Sequence, residues 1–528
     1  MTPDAAGALA GDASDPLACF REQFHHPHDG EGRRLVYLCG HSLGLQPKSA
    51  AQYVEQEMDD WRRLGVLGHH AAERPWIRYH VEAAAPLAAL VGAEATEVVA
   101  MNSLTVNLHL MMVSFFRPDA ARNRVLIEKS AFPSDRYAVA SQLDFHGLNA
   151  AEHLIEVEPR PGERHLRTED VIHRIEQEGA SLALVLLPSV QYLTGQSLDL
   201  GPLIAAARRA GAAVGLDLAH GIGNTLLTLH DWNADFAVWC SYKYLNAGPG
   251  AIGGCFVHER HARSVDLPRF AGWWGNEPAV RFQMGPEFRP ICGAEGWQIS
   301  NPPVLSAAPL LASLDIFKQA GMRRLREKSI ALTDFLQLLI QERLPGQVDI
   351  VTPNAASHRG CQLSLRIARA PAAAKRCHDL LTAAGVIGDW REPDVLRLAP
   401  VPLYNTYSDV FAAVDALSKA VRQGQGACLS IPSFASSARV PPVRFSPFYC
   451  SAAATRWNST KAALTRERPP PSQADPSISR WPIEAFMRCK RPACSKISRT
   501  RCCRCAGGSF IIRGAARRFS PTDSGPTS

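Results

Sequence analysis

The sequence predicts an α/β protein: a large domain built on a mostly parallel sheet, a smaller α+β C-terminal domain, and a disordered tail. Three observations carry this reading. Between about residues 80 and 300, short apolar runs alternate with amphipathic stretches, the pattern of strands buried between two layers of helices. Beyond residue 305 the chain turns to long helical stretches with sparse strands. After about residue 425 both periodicities vanish into Pro, Ser, Arg and Cys, a composition that buries too little apolar surface to offset chain entropy.

The elements follow in order. The opening "MTPDAAGALAGDASDPL" has no charged-then-apolar pattern, and no run of roughly 18 apolar residues occurs anywhere, so a cytoplasmic protein without membrane contact is expected. "RVLIEKSAF" (124–132), "LALVLLP" (182–188), "AAVGLDLAH" (212–220) and "DFAVWCSY" (235–242) read as buried strands that end in a polar residue or a turn. "PLIAAARRAGA" (202–212) between them has helical spacing and a glycine stop. Next come one long helical stretch (306–343), the strand "HRGCQLSLRI", a helix near 372–386, the strand "VLRLAP" and a last helix near 407–423. The expected division is 1–80, an N-terminal segment shared by the small domain and the active-site edge; 81–305, the large domain; 306–425, the small domain; and 426–528, the tail.

Charge separates the tail from the rest. The chain carries +7 overall, yet residues 431–528 hold 17 Lys and Arg against 4 Asp and Glu, leaving 40 against 46 in the first 430. The basic balance therefore belongs to the tail, and no nucleic-acid partner is expected for the main body. Eight of the 14 cysteines lie scattered over the first 430 residues without paired spacing, as reduced thiols do. Cys489, Cys494, Cys502, Cys503 and Cys505 in the tail offer a rival reading as a metal- or nucleic-acid-binding module. Their spacing matches no standard finger, so no metal is expected. Deleting residues 430–528 is expected to leave activity intact.

The chemistry gathers at strand ends. Lys243 in "SYKYLNAGPG" (241–250) follows the apolar run "ADFAVWC", where an unpaired ammonium costs several kcal/mol unless it is put to use. Asp217 closes "VGLD"; alone, it reads as a turn cap. But Asp217, His220 and Lys243 each follow a buried strand, and a parallel sheet brings such positions to one edge. A lysine able to lose its proton in a desolvated site, with an aspartate to keep a pyridine nitrogen protonated, is what pyridoxal 5′-phosphate chemistry requires. His220 is placed to stack on such a ring, though alone it reads as a packed histidine. In "MNSLTVNLHLMM" (101–112) a turn runs into a helix, so the Leu104 and Thr105 amides and the Thr105 hydroxyl are placed to receive a phosphate, or simply to cap a helix.

Six blocks, "FPSD", "GLDLAHGIGN", "SYKYLNAGPG", "RFAGWWGNEP", "ISNPP" and "LRLAPVPLYNTYSDV", together resemble kynureninases, pyridoxal-phosphate enzymes of the aspartate-aminotransferase fold (fold type I, class V). The resemblance runs from "YLCGHSLGLQP" (37–47) to residue 423. It implies hydrolysis of L-kynurenine, and by extension 3-hydroxykynurenine, to the anthranilate and L-alanine in tryptophan degradation. It implies that Lys243 forms the Schiff base and moves the α-proton, that Tyr242 contacts the phosphate and acts as acid/base partner, and that Asp217 pairs the pyridinium with His220 beside it. Phe132 stacks on the ring, Ser134 and Asp135 complete the pocket, and Leu104 and Thr105 take the phosphate. Trp273 and Asn301 match residues that reach the phosphate from a neighbouring subunit, which implies a homodimer with the active site at its interface. Arg397 matches the arginine that clamps the substrate α-carboxylate.

Two positions depart from the family pattern: His41 stands in "GHSLGLQP" where an asparagine is usual, and Asn276 in "GWWGN" where a histidine is common. Asn276 and His69 are implied to face the substrate aryl ring, and His41 is placed with them and Arg397 among the substrate-binding residues, which leaves kynurenine against 3-hydroxykynurenine open. The rival on the same scaffold, a cysteine desulfurase, needs a mobile nucleophilic cysteine, and no cysteine here has such a loop setting.

Overall fold

The computed structural model describes residues 2–426 apart from 263, 265, 369 and 370; the expectations about the basic, cysteine-rich tail concern residues outside that range. The described strands are β1 (Val36–Tyr37), β2 (Val98–Ala100), β3 (Arg124–Glu128), β4 (Leu154–Val157), β5 (Leu182–Pro188), β6 (Ala213–Asp217) and β7 (Phe236–Trp239). They continue as β8 (Gly254–Val257), β9 (Val348–Ile350), β10 (Leu363–Ile367), β11 (Val386–Ile387), β12 (Asp389–Arg391) and β13 (Val395–Leu398).

Seven of these form the large sheet in the order β2-β8-β7-β6-β5-β3-β4. Strands β3 to β7 pair in parallel, and β8 runs antiparallel to both of its neighbours. The sheet is therefore mostly parallel, as the alternation of apolar runs and helices predicts. The apolar run Leu182–Leu187 is buried throughout, as a central strand covered on both faces must be. The crossover from β5 to β6 is the helix Leu200–Arg209, and Gly211 ends it at φ +77°, a conformation open to glycine without a Cβ penalty.

The smaller sheet, β12-β13-β10-β9, is antiparallel. The helices Met322–Arg343 and Tyr407–Gly426 pack on it through Leu336, Leu339, Val410 and Leu417. The single helical stretch expected over 306–343 is two helices, Val304–Ala320 and Met322–Arg343. Gly321 at φ +77° separates them, so the first helix turns its Leu310, Leu314 and Phe317 into the core of the large sheet while the second serves the small one. The N-terminal segment joins the smaller sheet region: β1 pairs in parallel with β11, and Cys39 bridges to Ala399. Among the described residues no helix is long and apolar enough to cross a membrane.

Candidate active site

The carboxyl ends of β3, β5, β6 and β7 open on one cleft, the place where parallel α/β sheets hold ligands. Its walls include Glu128 and Pro188 at two of those ends, Asp217 at the third and Cys240, Tyr242 and Lys243 just past the fourth. Two helices begin there. Ser103, before the helix Leu104–Phe115, makes no side-chain capping bond, so the amides of the first turn are left for another acceptor. Phe132 precedes the helix Pro133–Phe145, and Thr105 Oγ1 and Ser134 Oγ, one from each helix start, lie 2.9 Å apart. Two positive helix ends and two hydroxyls converging on one spot suit a dianion.

Lys243 stands opposite. Its Nζ is 5.7 Å from the centre of the Phe132 ring and 5.9 Å from that of Tyr242. Phe132, at 39% exposure, meets Tyr192 edge-on with ring centres 5.3 Å apart and leaves a face open to the cleft. The lysine loop is tightly wound: Asn246 N donates to the Lys243 carbonyl, Ala247 N to that of Ser241, and Gly44 N to that of Tyr242 at 2.9 Å. Gly44 allows this approach, because a Cβ there would clash with both Asn246 Oδ1 and the Lys243 carbonyl oxygen. Gly44→Ala is therefore expected to displace the lysine loop and cut kcat by about tenfold or more while the protein still folds, since a 1 Å misplacement at a reacting group costs up to about 10²-fold. A wild-type kcat in that variant refutes the packing argument.

Asp217 is buried, and its Oδ1 accepts the Ala219 N–H at 2.7 Å. Asp135 and Glu128 share its end of the cleft. Burial, reinforced by the Asp217 charge, pushes the Asp135 carboxyl well above the usual carboxylate range, and its Oδ1 has no partner. Burial pushes Glu128 up as well, against a hydrogen bond from Gln191. Burial thus disfavours the charged form of both carboxyls. Burial, then Cys240, raises Tyr242, which keeps its phenolic proton.

His220 is buried, its Nδ1 unpartnered, with the rings of His41 and Tyr244 at 6.3 and 6.1 Å. Burial and the nearby Lys243 charge depress it strongly. His41 is fully buried, and burial with the Arg397 charge pushes it down to about 3. Its folded value lies below the ordinary 6.5, so the unfolded chain takes up this proton as pH falls through about 6.5 and the native state does not until about 3. Stability is full above that window and is lost through it, at up to about 1.4 kcal/mol per pH unit for this proton. His41→Asn is expected to flatten the fall in Tm between pH 7 and 5 by one proton's worth. An unchanged slope would mean that His41 is reached by water when charged.

Arg397, on β13, is 1% exposed. Its Nη1 donates to the Tyr192 carbonyl at 2.6 Å and its Nη2 to Asp389. Arg397 does not itself line the cleft, although Tyr192, whose carbonyl it holds, does. The remaining expected residues lie apart. Trp273 Nε1 donates to Asn301 Oδ1 at 3.1 Å on the surface, and neither lines the cleft. His69 sits in the short helix Gly68–Ala71, edge-on to Trp76 at 5.6 Å. Asn276 accepts the Arg289 N–H at 2.8 Å. Within one chain, then, Leu104, Thr105, Phe132, Ser134, Asp135, Asp217, His220, Tyr242 and Lys243 share the cleft, while Arg397, His41, Trp273, Asn301, His69 and Asn276 do not line it.

Glu128, Tyr192 and Cys240 also line the cleft, and reasoning from the sequence passed over them. The rule that ligands sit past carboxyl strand ends could have found the first two, since Glu128 ends β3 and Tyr192 follows β5 in "SVQYLTGQ". Asp389 gave no local signal, because its link to Arg397 exists only through the β12–β13 register.

An amine, a buried aspartate, an open aromatic face and a two-helix anion cradle on one cleft fit pyridoxal 5′-phosphate, and they define a pyridoxal-phosphate-dependent enzyme of the class V aminotransferase fold. Solved structures share the fold: a C-DES mutant with glycine covalently linked to its pyridoxal-phosphate cofactor superposes with TM-score 0.62 at 16% identity, covering 75% of this chain and 98% of that one. The apo cysteine desulfurase of Thermococcus onnurineus NA1 gives 0.61 at 16% identity, covering 79% and 98%. At that identity the likeness carries the fold alone. The kynureninase of Myxococcus xanthus is 55% identical over 414 residues, 78% of this chain and 96% of that protein; that of Xanthomonas oryzae pv. oryzae (strain KACC10331 / KXO85) is 57% identical over 409 residues, 78% and 96%. Residues 325–417 match the kynureninase C-terminal domain model. The chain belongs to the kynureninase family, and its cofactor is pyridoxal 5′-phosphate. Nothing beyond the shared scaffold favours the desulfurase alternative.

Proposed function

We propose that this enzyme hydrolyses L-kynurenine to anthranilate and L-alanine with the cleft residues in the roles their positions suit. The observation that carries the reading is the identity of 55% and above to kynureninases over 96% of their length, combined with Lys243 and Asp217 on one cleft. The Leu104 and Thr105 amides with the Thr105 and Ser134 hydroxyls would hold the cofactor phosphate, Phe132 its ring face, Asp217 its ring nitrogen and Lys243 its aldehyde. When bound, the cofactor supplies an aldehyde that condenses with amines and a ring that accepts the electron pair released at the substrate Cα.

Lys243 Nζ, the amine on this cleft, would hold the cofactor aldehyde and would take the proton from the substrate Cα. Asp217, whose carboxylate is anchored by the Ala219 N–H, would keep the ring nitrogen protonated. Tyr242, which keeps its proton, is the donor or carrier as water adds to the γ-carbonyl and the Cβ–Cγ bond breaks. Arg397 takes the α-carboxylate, where a planar two-donor head suits two oxygens better than an ammonium does.

The same reading includes a homodimer in the cytoplasm. Trp61, Phe270, Trp273 and Phe282 are all more than 40% exposed, an apolar surface that a second copy would cover, and a neighbouring subunit is the route by which Trp273, Asn301, His69 and Asn276 would reach a cleft they do not line in their own chain. The test is an assay of purified, cofactor-loaded protein: anthranilate fluorescence should appear with L-alanine in equal amount. Sulfide release from cysteine without anthranilate would overturn the reading. Running 3-hydroxykynurenine beside kynurenine settles which aryl group the site prefers.

A further inference from the structure

Asp389 gathers the polar cluster around Arg397, and none of the roles assigned above uses it. It sits on β12 directly across from Arg397 on β13, 13% exposed at its side chain. Its Oδ2 accepts from Arg397 Nη2, from Ser42 Oγ at 2.6 Å and from Arg391 Nη2 at 3.1 Å. His41 Nε2 lies 3.3 Å away without completing a hydrogen bond. Burial opposes an ionised Asp389, but the His41 contact and the Arg397 charge outweigh it and hold the carboxyl well below its usual range.

Two connections make this cluster more than a stabilising ion pair. On one side, Arg397 Nη1 is tied to the carbonyl of Tyr192, whose ring packs on Phe132 in the cleft wall. With Nη1 and Nη2 each anchored, the guanidinium plane is set in a single orientation, while its Nε stays buried without a partner. On the other side, Ser42 belongs to the short run that ends at Gly44, whose N–H holds the Tyr242 carbonyl next to Lys243. The lysine loop and Arg397 are thus joined through residues 42–44 and Asp389.

We infer that Asp389 is a positioning residue: it fixes the Arg397 guanidinium for the α-carboxylate. This rests on the reading that Arg397 clamps the carboxylate. A bidentate contact depends on where the guanidinium plane lies, and an Arg397 freed of Asp389 is a buried cation that turns toward whatever acceptor it finds.

The two products separate the ends of the site, L-alanine carrying the carboxylate and anthranilate the aryl ring. In cofactor-loaded Asp389→Asn, inhibition by L-alanine and the KM for L-kynurenine are expected to weaken by about tenfold, as loss of one well-placed charged hydrogen bond does. The kcat should change less than about threefold, anthranilate inhibition and the cofactor absorbance should stay as in the wild type, and Asp389→Glu should recover part of the loss. Unchanged L-alanine binding in Asp389→Asn while Arg397→Lys weakens it overturns the positioning role and leaves the carboxylate clamp standing. Tighter L-alanine binding in Asp389→Asn also overturns it, since Asp389 would then be only a competing anion. If Arg397→Lys binds L-alanine like the wild type, the clamp reading fails and this inference with it.

Discussion

Lys243→Ala yields a folded protein without the near-ultraviolet or violet absorbance of a bound aldehyde cofactor, and kcat/KM for L-kynurenine falls by about 10³-fold or more. Lys243 is the residue on this cleft with an amine, and it is proposed both to attach the cofactor and to move the Cα proton. General acid–base catalysis alone is worth about 10² to 10⁴-fold, and loss of covalent attachment adds to that. Folding should survive, because the side chain takes part in no salt bridge with the described residues and its loop is held by backbone bonds through Gly44, Asn246 and Ala247. Borohydride reduction followed by peptide mass analysis gives the direct check: the wild-type peptide containing residue 243 gains the cofactor mass. A variant that keeps both the band and the activity would remove Lys243 from the chemistry altogether.

Asp217→Asn costs about 10²- to 10⁴-fold in kcat, the range set by removal of an essential acid–base partner, while the neighbouring Asp135→Asn costs about tenfold or less. The contrast follows from the two environments. Asp217 offers an acceptor carboxylate anchored by the Ala219 amide, and an amide in its place cannot keep a ring nitrogen protonated, so the electron sink is lost. Asp135 is pushed up by burial and by its charged neighbour, which favours its neutral form, and an asparagine resembles that form. Both variants should bind cofactor, which the absorbance band reports. Equal losses in the two would show that the pair shares its proton and titrates as one unit.

Several elements were legible one segment at a time. The "LALVLLP" run is a central strand, since its uniform apolarity has no other use in a short segment, and Gly211 stops its crossover helix as read. Helix breaks were less legible: Gly321 lies inside an otherwise unbroken helical pattern, and a single glycine there is tolerated about as often as it ends the helix, at roughly 1 kcal/mol against alanine. The cleft residues were readable where strand-end logic applied, as at Asp217, His220 and Lys243. They were unreadable where a partner comes from far along the chain: Ser42, Tyr192 and Asp389 acquire meaning only around Arg397.

The sequence by itself determined which strands lie buried, which polar groups stand at their carboxyl ends, and hence that an amine and an acid would face one cleft. Those properties depend on period and on near neighbours along the chain, and every local segment carries them. Tertiary structure alone decided the burial that shifts Asp135, Glu128 and His41, the pairing of Asp389 with Arg397, and the absence of Arg397, His41, Trp273, Asn301, His69 and Asn276 from the lining of their own chain's cleft. Burial and charge act through space, and the distances that set them come from strand register and packing between segments hundreds of residues apart.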